Sequence, residues 1–161
     1  MNSETFTTEI VRMLPTLYRI VRSQLQADAD QQDAVQEAIR RGWEKKANLK
    51  NDLFLQTWMI RILLNVCHDL QREQKRMVPQ AMLPLPAQKE AAEHEELRLA
   101  LFQLHRRERE PVILHYIEGY SINQVAKILR IPVGTVKTRL MRGRMQLRVI
   151  LNEEALEDNE A

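Results

Sequence analysis

Pro79, Pro84 and Pro86 fall within MVPQAMLPLPAQKE, residues 77–90, and the helical spacing of apolar residues stops there. A proline ring removes a backbone donor and clashes with the preceding turn, so no continuous helix can cross this stretch. Pro-rich sequence favours an extended, fairly stiff linker. The 161 residues therefore divide into two helical halves of roughly seventy residues, near the lower limit for independent domains. With 4 Gly and 6 Pro in the whole chain, long helices are favoured over a turn-rich β fold. The expected architecture is all-α. Residues 1–76 form a first domain, 77–92 the linker, 93–151 a second domain and 152–161 an acidic tail.

In the first half, Ile10, Met13, Leu14, Leu17, Ile20, Val21 and Leu25 fit one face of a helix from about Thr5, with Pro15 expected to kink or break it. A second helix is expected from about Gln31 to Lys46, burying Val35, Ala38, Ile39 and Trp43. Its Asp33, Gln36, Glu37 and Arg40 recur at helical spacing and form a polar ridge on the opposite side. Residues 48–52 read as a loop. A long helix from about Leu53 to Arg76 follows, with Met59, Ile62, Leu63, Val66 and Leu70 as its core stripe. Trp58, Arg61, Asn65, Asp69 and Arg72 make a separate stripe that a simple core helix does not need.

In the second half, Leu97, Leu101 and Leu104, then Val112, Ile113 and Tyr116, restore the helical pattern. The run EGYSINQVAKILRIPVGTVKTRLMRGR, Glu118–Arg144, then reads as two short helices joined by a tight turn. That is the layout of a helix-turn-helix, in which one helix braces and the next enters a DNA major groove. Val125, Ala126 and Leu129 point inward from the bracing helix, and Pro132 suits the first turn of the next. Val136, Leu140, Gly143 and Leu147 share one side of that second helix, which leaves Lys137, Thr138, Met141, Arg142 and Met145 across the outward arc. Cations there can neutralise phosphates, and an arginine can offer a bidentate fork to guanine. The net charge of +2 conceals this segregation: every charged residue from Arg130 to Arg148 is basic, and the tail after Leu151 is acidic, a frayed helix or a disordered end.

The single cysteine, Cys67, excludes an internal disulfide and suits a reducing compartment. No secretory signal or membrane-length apolar run is present, so a cytoplasmic chain without membrane insertion is expected. His68, His94, His105 and His115 match no metal-site spacing, and no Gly-rich phosphate loop or nucleophile elbow occurs. The expectation is a protein with no catalytic residues, no metal and no cofactor.

Three segments in order, DAVQEAIRRGW at Asp33–Trp43, TWMIRILLNVCHDLQRE at Thr57–Glu73 and the Glu118–Arg144 run, together resemble the sigma-70 family of bacterial transcription initiation factors, in its extracytoplasmic-function (ECF) group. The resemblance implies two helical domains. Region 2 binds the clamp helices of the RNA polymerase β′ subunit and melts the minus-10 element. Region 4 binds the β flap and reads the minus-35 element.

Carried onto this sequence, Asp33, Gln36 and Glu37 match the polymerase-binding pattern, with Arg40 on the same ridge. Trp58, Arg61, Asn65 and Asp69 match the minus-10 helix, Arg72 continues that stripe, and the loop Lys46–Asp52 falls where the family holds a flipped nucleotide. Trp58 on its own fits a core aromatic nearly as well as a DNA contact. Lys137, Thr138, Met141 and Arg142 match positions that meet minus-35 bases, with Arg144 and Arg148 on phosphate. An anti-sigma factor is implied as a further partner, and a monomer is expected in the absence of partners. The sequence departs from the family at Arg130, where relatives often carry Gly, so a strained or differently capped turn is expected. The rival reading is a two-domain regulator with a LuxR-like helix-turn-helix and a ligand or dimerisation module. Region 4 alone does not exclude it.

Overall fold

The computed structural model describes residues 1–77 and 95–160, with side chains over 1–76 and 95–152. The expected linker at 77–92 lies almost wholly outside the described residues. The chain forms two compact units, Met1–Gln88 and Lys89–Ala161.

Unit 1 holds α1 (Ser3–Arg22), α2 (Asp28–Lys45) and α3 (Leu55–Met77). Asn2 caps α1 by accepting the Thr5 N–H at 2.8 Å, while Glu4 in the first turn and Arg19 and Arg22 in the last complement the helix dipole. Pro15 does not break this helix. Phe6, Ile10 and Met13 before it and Leu17, Ile20 and Val21 after it are all buried on one face. That continuous apolar stripe outweighs the roughly 3 kcal/mol cost of an interior proline.

The second helix begins earlier than its apolar pattern suggests, because Asp28 and Asp30 favour its positively polarised N-terminus. The buried Gln31 ties that start to the preceding turn through Nε2 to the Leu25 carbonyl, at 2.8 Å. Trp43 is not a core residue: it is 42% exposed, edge-on to Phe6 and under the Lys46 ammonium at 3.9 Å. The expected loop contains short 3-10 turns at Lys46–Asn48 and Asp52–Phe54.

On α3, Met59, Leu63 and Val66 are buried as expected, Ile62 and Leu70 only half-buried, and Ile60, Leu64 and Cys67 join the core. The stripe is broad because α3 packs on both α1 and α2. Gln71 Nε2 to the Gln24 carbonyl and Gln74 Nε2 to Asp30, each at 2.8 Å, fasten its far end.

Unit 2 holds α4 (Glu95–Gln103), α5 (Arg106–Val112), α6 (Ile122–Leu129) and α7 (Val133–Glu160). Between α5 and α6 lies a π-helical turn, Ile113–Ile117, closed by the Glu118 N–H to the Ile113 carbonyl at 2.9 Å. The wider turn moves Tyr116 off the core row predicted for it, to 47% exposure. The α7 helix continues through the acidic end to Glu160.

Candidate nucleic-acid interface

The helix-turn-helix is built from strong local signals. Ser121 and Gln124 form a reciprocal capping box at the start of α6, with Gln124 N–H to Ser121 Oγ at 3.1 Å and Ser121 N–H to Gln124 Oε1 at 2.9 Å. Val125, Ala126 and Ile128 are buried, and Leu129 is half-buried. Arg130 ends α6 in the left-handed conformation, φ 55° and ψ 48°, where a side chain is strained and glycine is not. Both Arg130 and Ile131 donate their N–H to the Ala126 carbonyl, which turns the chain into α7.

Along α7, Val136, Leu140 and Gly143 are buried and Leu147 is half-buried. Gly143 permits close approach to α5: a Cβ there would lie 2.7 Å from Val112 Cγ2. Lys137, Thr138, Met141, Arg142 and Met145 are all exposed. Thr138 donates its hydroxyl proton to the Gly134 carbonyl at 3.0 Å, leaving its oxygen to face outward as an acceptor. Arg148 is also exposed. Arg144 is exposed but engaged, donating from Nη1 to the Tyr116 hydroxyl at 2.5 Å. No salt bridge joins Lys137, Arg142, Arg144 or Arg148 to a carboxylate among the described residues.

Unit 1 handles charge differently. Asp33 and Gln36 are exposed on the ridge of α2, but Glu37 is held by two arginines. Arg40 donates to it at 2.9 and 2.7 Å, and Arg41 Nε at 3.0 Å. These hydrogen bonds, from Arg40 first and then Arg41, hold the Glu37 carboxyl down at about 2. Arg40 also reaches Glu44 at 2.6 Å. Arg41 continues across to α3, where its Nη1 meets Asp69 at 3.3 Å, and Asp69 pairs with Arg72 as well. Burial pushes the Asp69 carboxyl up, but the bonds from Arg72 and Arg41 together hold it below the usual range.

An unbroken ionic chain, Glu37–Arg41–Asp69–Arg72, thus links the polar ridge of α2 to the Trp58–Arg72 stripe of α3. The sequence reading missed Arg41 because it lies one residue outside the ridge spacing. Within the stripe, Trp58 and Arg61 are half-buried and Asn65 is exposed. Leu53 and Phe54, 86% and 54% exposed, stand just before α3.

Among the described residues no three His, Cys, Asp or Glu side chains gather as metal ligands would, and no helix is long and apolar enough to cross a membrane.

Family comparisons agree with this division into two units. Residues 10–77 match Sigma-70 region 2, and residues 94–147 match Sigma-70, region 4. The ECF RNA polymerase sigma factor EcfG of Rhodopseudomonas palustris (strain TIE-1) is 31% identical over 158 residues, covering 93% of this chain and 87% of the relative. The ECF RNA polymerase sigma factor SigM of Mycobacterium tuberculosis (strain ATCC 25618 / H37Rv) is 31% identical over 84% of this chain and 71% of its own.

Among solved structures, the sigma factor RpoE in complex with the anti-sigma factor NepR from Bartonella quintana superposes with a TM-score of 0.81. Identity is 26%, with 92% of this chain and 98% of that one covered. CnrH in complex with the cytosolic domain of CnrY gives 0.75 at 25% identity, over 94% and 90%. A region 2 match over most of unit 1 disfavours the LuxR-like alternative, whose N-terminal half would be a ligand or dimerisation module. With both promoter-directing regions present in order, the chain belongs to the ECF group of the sigma-70 family, the transcription initiation factors that direct RNA polymerase to promoters.

Proposed function

We propose that this chain binds core RNA polymerase through the α2 ridge and grips promoter DNA at two sites. The observation that carries this is the α7 face, where exposed cations with no carboxylate partner among the described residues alternate with Thr138 and Met141. Such a face suits a major groove: Arg142 and Lys137 for base edges or phosphate, Met141 for an apolar base contact, and Arg144 and Arg148 for the backbone.

In unit 1, Asn65 offers an amide to an unpaired base, and Trp58, Arg61, Asp69 and Arg72 flank it on α3. Melted DNA needs a pocket for a flipped base and a basic path for its backbone. Asp33, Gln36, Glu37 and Arg40 would meet the β′ clamp helices, and unit 2 the β flap. The chain works in the cytoplasm as a monomer until it meets a partner. The complex of RpoE with the anti-sigma factor NepR supports an anti-sigma factor as one such partner.

The test is core-polymerase pull-down followed by run-off transcription on a promoter library. The proposal requires that start sites appear only when the chain is added to core enzyme. Tight sequence-specific duplex binding by the chain alone, with no transcription, would overturn it.

A further inference from the structure

Tyr116 lies outside the helix-turn-helix, yet among the described residues it makes the one polar contact of the Arg144 side chain. The two residues lie 28 positions apart. The π-helical turn at Ile113–Ile117 lifts Tyr116 out of the core, and the glycine at 143 lets α7 approach the end of α5 closely enough for the pair to meet. The tyrosine ring is fixed from behind. His115 packs edge-on to it at 4.9 Å between centroids, and His115 Nδ1 is itself anchored 2.7 Å from the Tyr120 carbonyl oxygen.

Arg144 Nη1 donates to the Tyr116 hydroxyl oxygen at 2.5 Å, and its guanidinium carbon lies 5.9 Å from the ring centroid. The hydroxyl is used there as an acceptor, so its own proton has no acceptor among the described residues. The guanidinium keeps four further N–H donors and meets no carboxylate among those residues. A tyrosine hydroxyl therefore holds a cation that meets no carboxylate among the described residues, and both groups are exposed.

At about 100° per residue, Arg144 and Arg148 fall within roughly 40° of one another on α7, beside Lys137 at the edge of its outward arc nearest the core side. That is the rim of the helix, where a groove-bound helix meets the sugar-phosphate backbone rather than the bases.

We propose that Tyr116 and Arg144 form a single backbone-phosphate site: the tyrosine O–H and the arginine N–H groups donate to one phosphate of duplex DNA beside the groove that α7 enters. The contact rests on the reading of α7 as the minus-35 helix. It adds a donor from outside the helix-turn-helix, set before α6 in sequence, which fixes the angle of α7 without reading sequence.

The experiment uses the full chain and a mixed-sequence 30-bp duplex at low ionic strength, because a phosphate contact needs no promoter. Binding is titrated over a range of salt for wild type, Tyr116→Phe, Arg144→Ala and Lys137→Ala. Tyr116→Phe should weaken binding by about 3- to 10-fold, with the slope of log K against log salt unchanged, since a neutral donor releases no counterion. Arg144→Ala should weaken it and flatten the slope by about 0.9. Wild-type affinity in Tyr116→Phe overturns the proposal. So does a flattened slope in that variant, which would make Tyr116 only a support for Arg144. If Lys137→Ala also binds as wild type, the failure lies in the DNA-facing reading of α7 itself. Matching thermal unfolding curves check that the exposed substitutions leave the fold intact.

Discussion

In unit 1, Arg40, Arg41 and Arg72 each reach a carboxylate of the same unit, whereas on α7 of unit 2 Lys137, Arg142 and Arg148 pair with none among the described residues. Partly exposed ion pairs contribute little to stability, typically about 0–1 kcal/mol. What they change is availability. An arginine already on a carboxylate must exchange that partner to hold a phosphate, while an uncompensated one attracts phosphate at once. On this reading unit 2 is a ready duplex-binding surface, and unit 1 is a self-satisfied surface that a partner has to open. A clamp helix that competes for Glu37 would loosen Arg41, and through it Asp69 and Arg72.

Four variants would break or sharpen this contrast. Arg142→Ala should cost about 1–3 kcal/mol at one promoter position, read as start-site use across a promoter library. Equal loss at every promoter would instead make it a phosphate contact. Asp33→Ala combined with Glu37→Ala should weaken core-polymerase binding by about tenfold or more, with duplex binding by the full chain retained. Loss of both activities would mean misfolding rather than a lost contact.

Arg130→Gly should raise the thermal stability of unit 2 by up to about 1 kcal/mol, because it removes left-handed strain and keeps the cap to Ala126. Lower stability would show that the arginine side chain compensates for its backbone. The smallest effect belongs to Glu37. Its folded carboxyl is held at about 2 against an ordinary 4.5, so its stabilisation is complete above about pH 4.5 and fades as pH falls toward 2. With the side chain 34% exposed, solvent screening keeps the contribution below about 1 kcal/mol. Urea midpoints at pH 6 and pH 3 should differ less for Glu37→Gln than for wild type.

The all-α fold and the helix-turn-helix were legible because they rest on local rules: apolar spacing, Pro132 after the turn, and the collapse of periodicity around three prolines. Arg130 was legible too, since a non-glycine residue at that helix end has to adopt left-handed backbone or move the turn. Errors arose where tertiary contact overrides the local rule. Pro15 stays helical because buried residues on both sides hold it, and Tyr116 leaves its row because a π turn changes the spacing. Trp43 reads as core by periodicity but sits at the end of α2, with Lys46 capping its ring. Among candidate site residues, exposure on α7 followed from the helical projection. The Arg41–Asp69 bridge did not, because it joins residues 28 positions apart across two helices.

The contrast between the units is tested most directly by photo-crosslinkers placed in turn at Met141 and at Asn65. The template is a forked promoter, duplex upstream and single-stranded at the minus-10 element, assayed at low salt with and without core polymerase. Met141 should crosslink to the duplex in both conditions, and Asn65 to the single strand only when polymerase is present. Equal crosslinking from Asn65 without polymerase would contradict a unit 1 surface that waits for its partner.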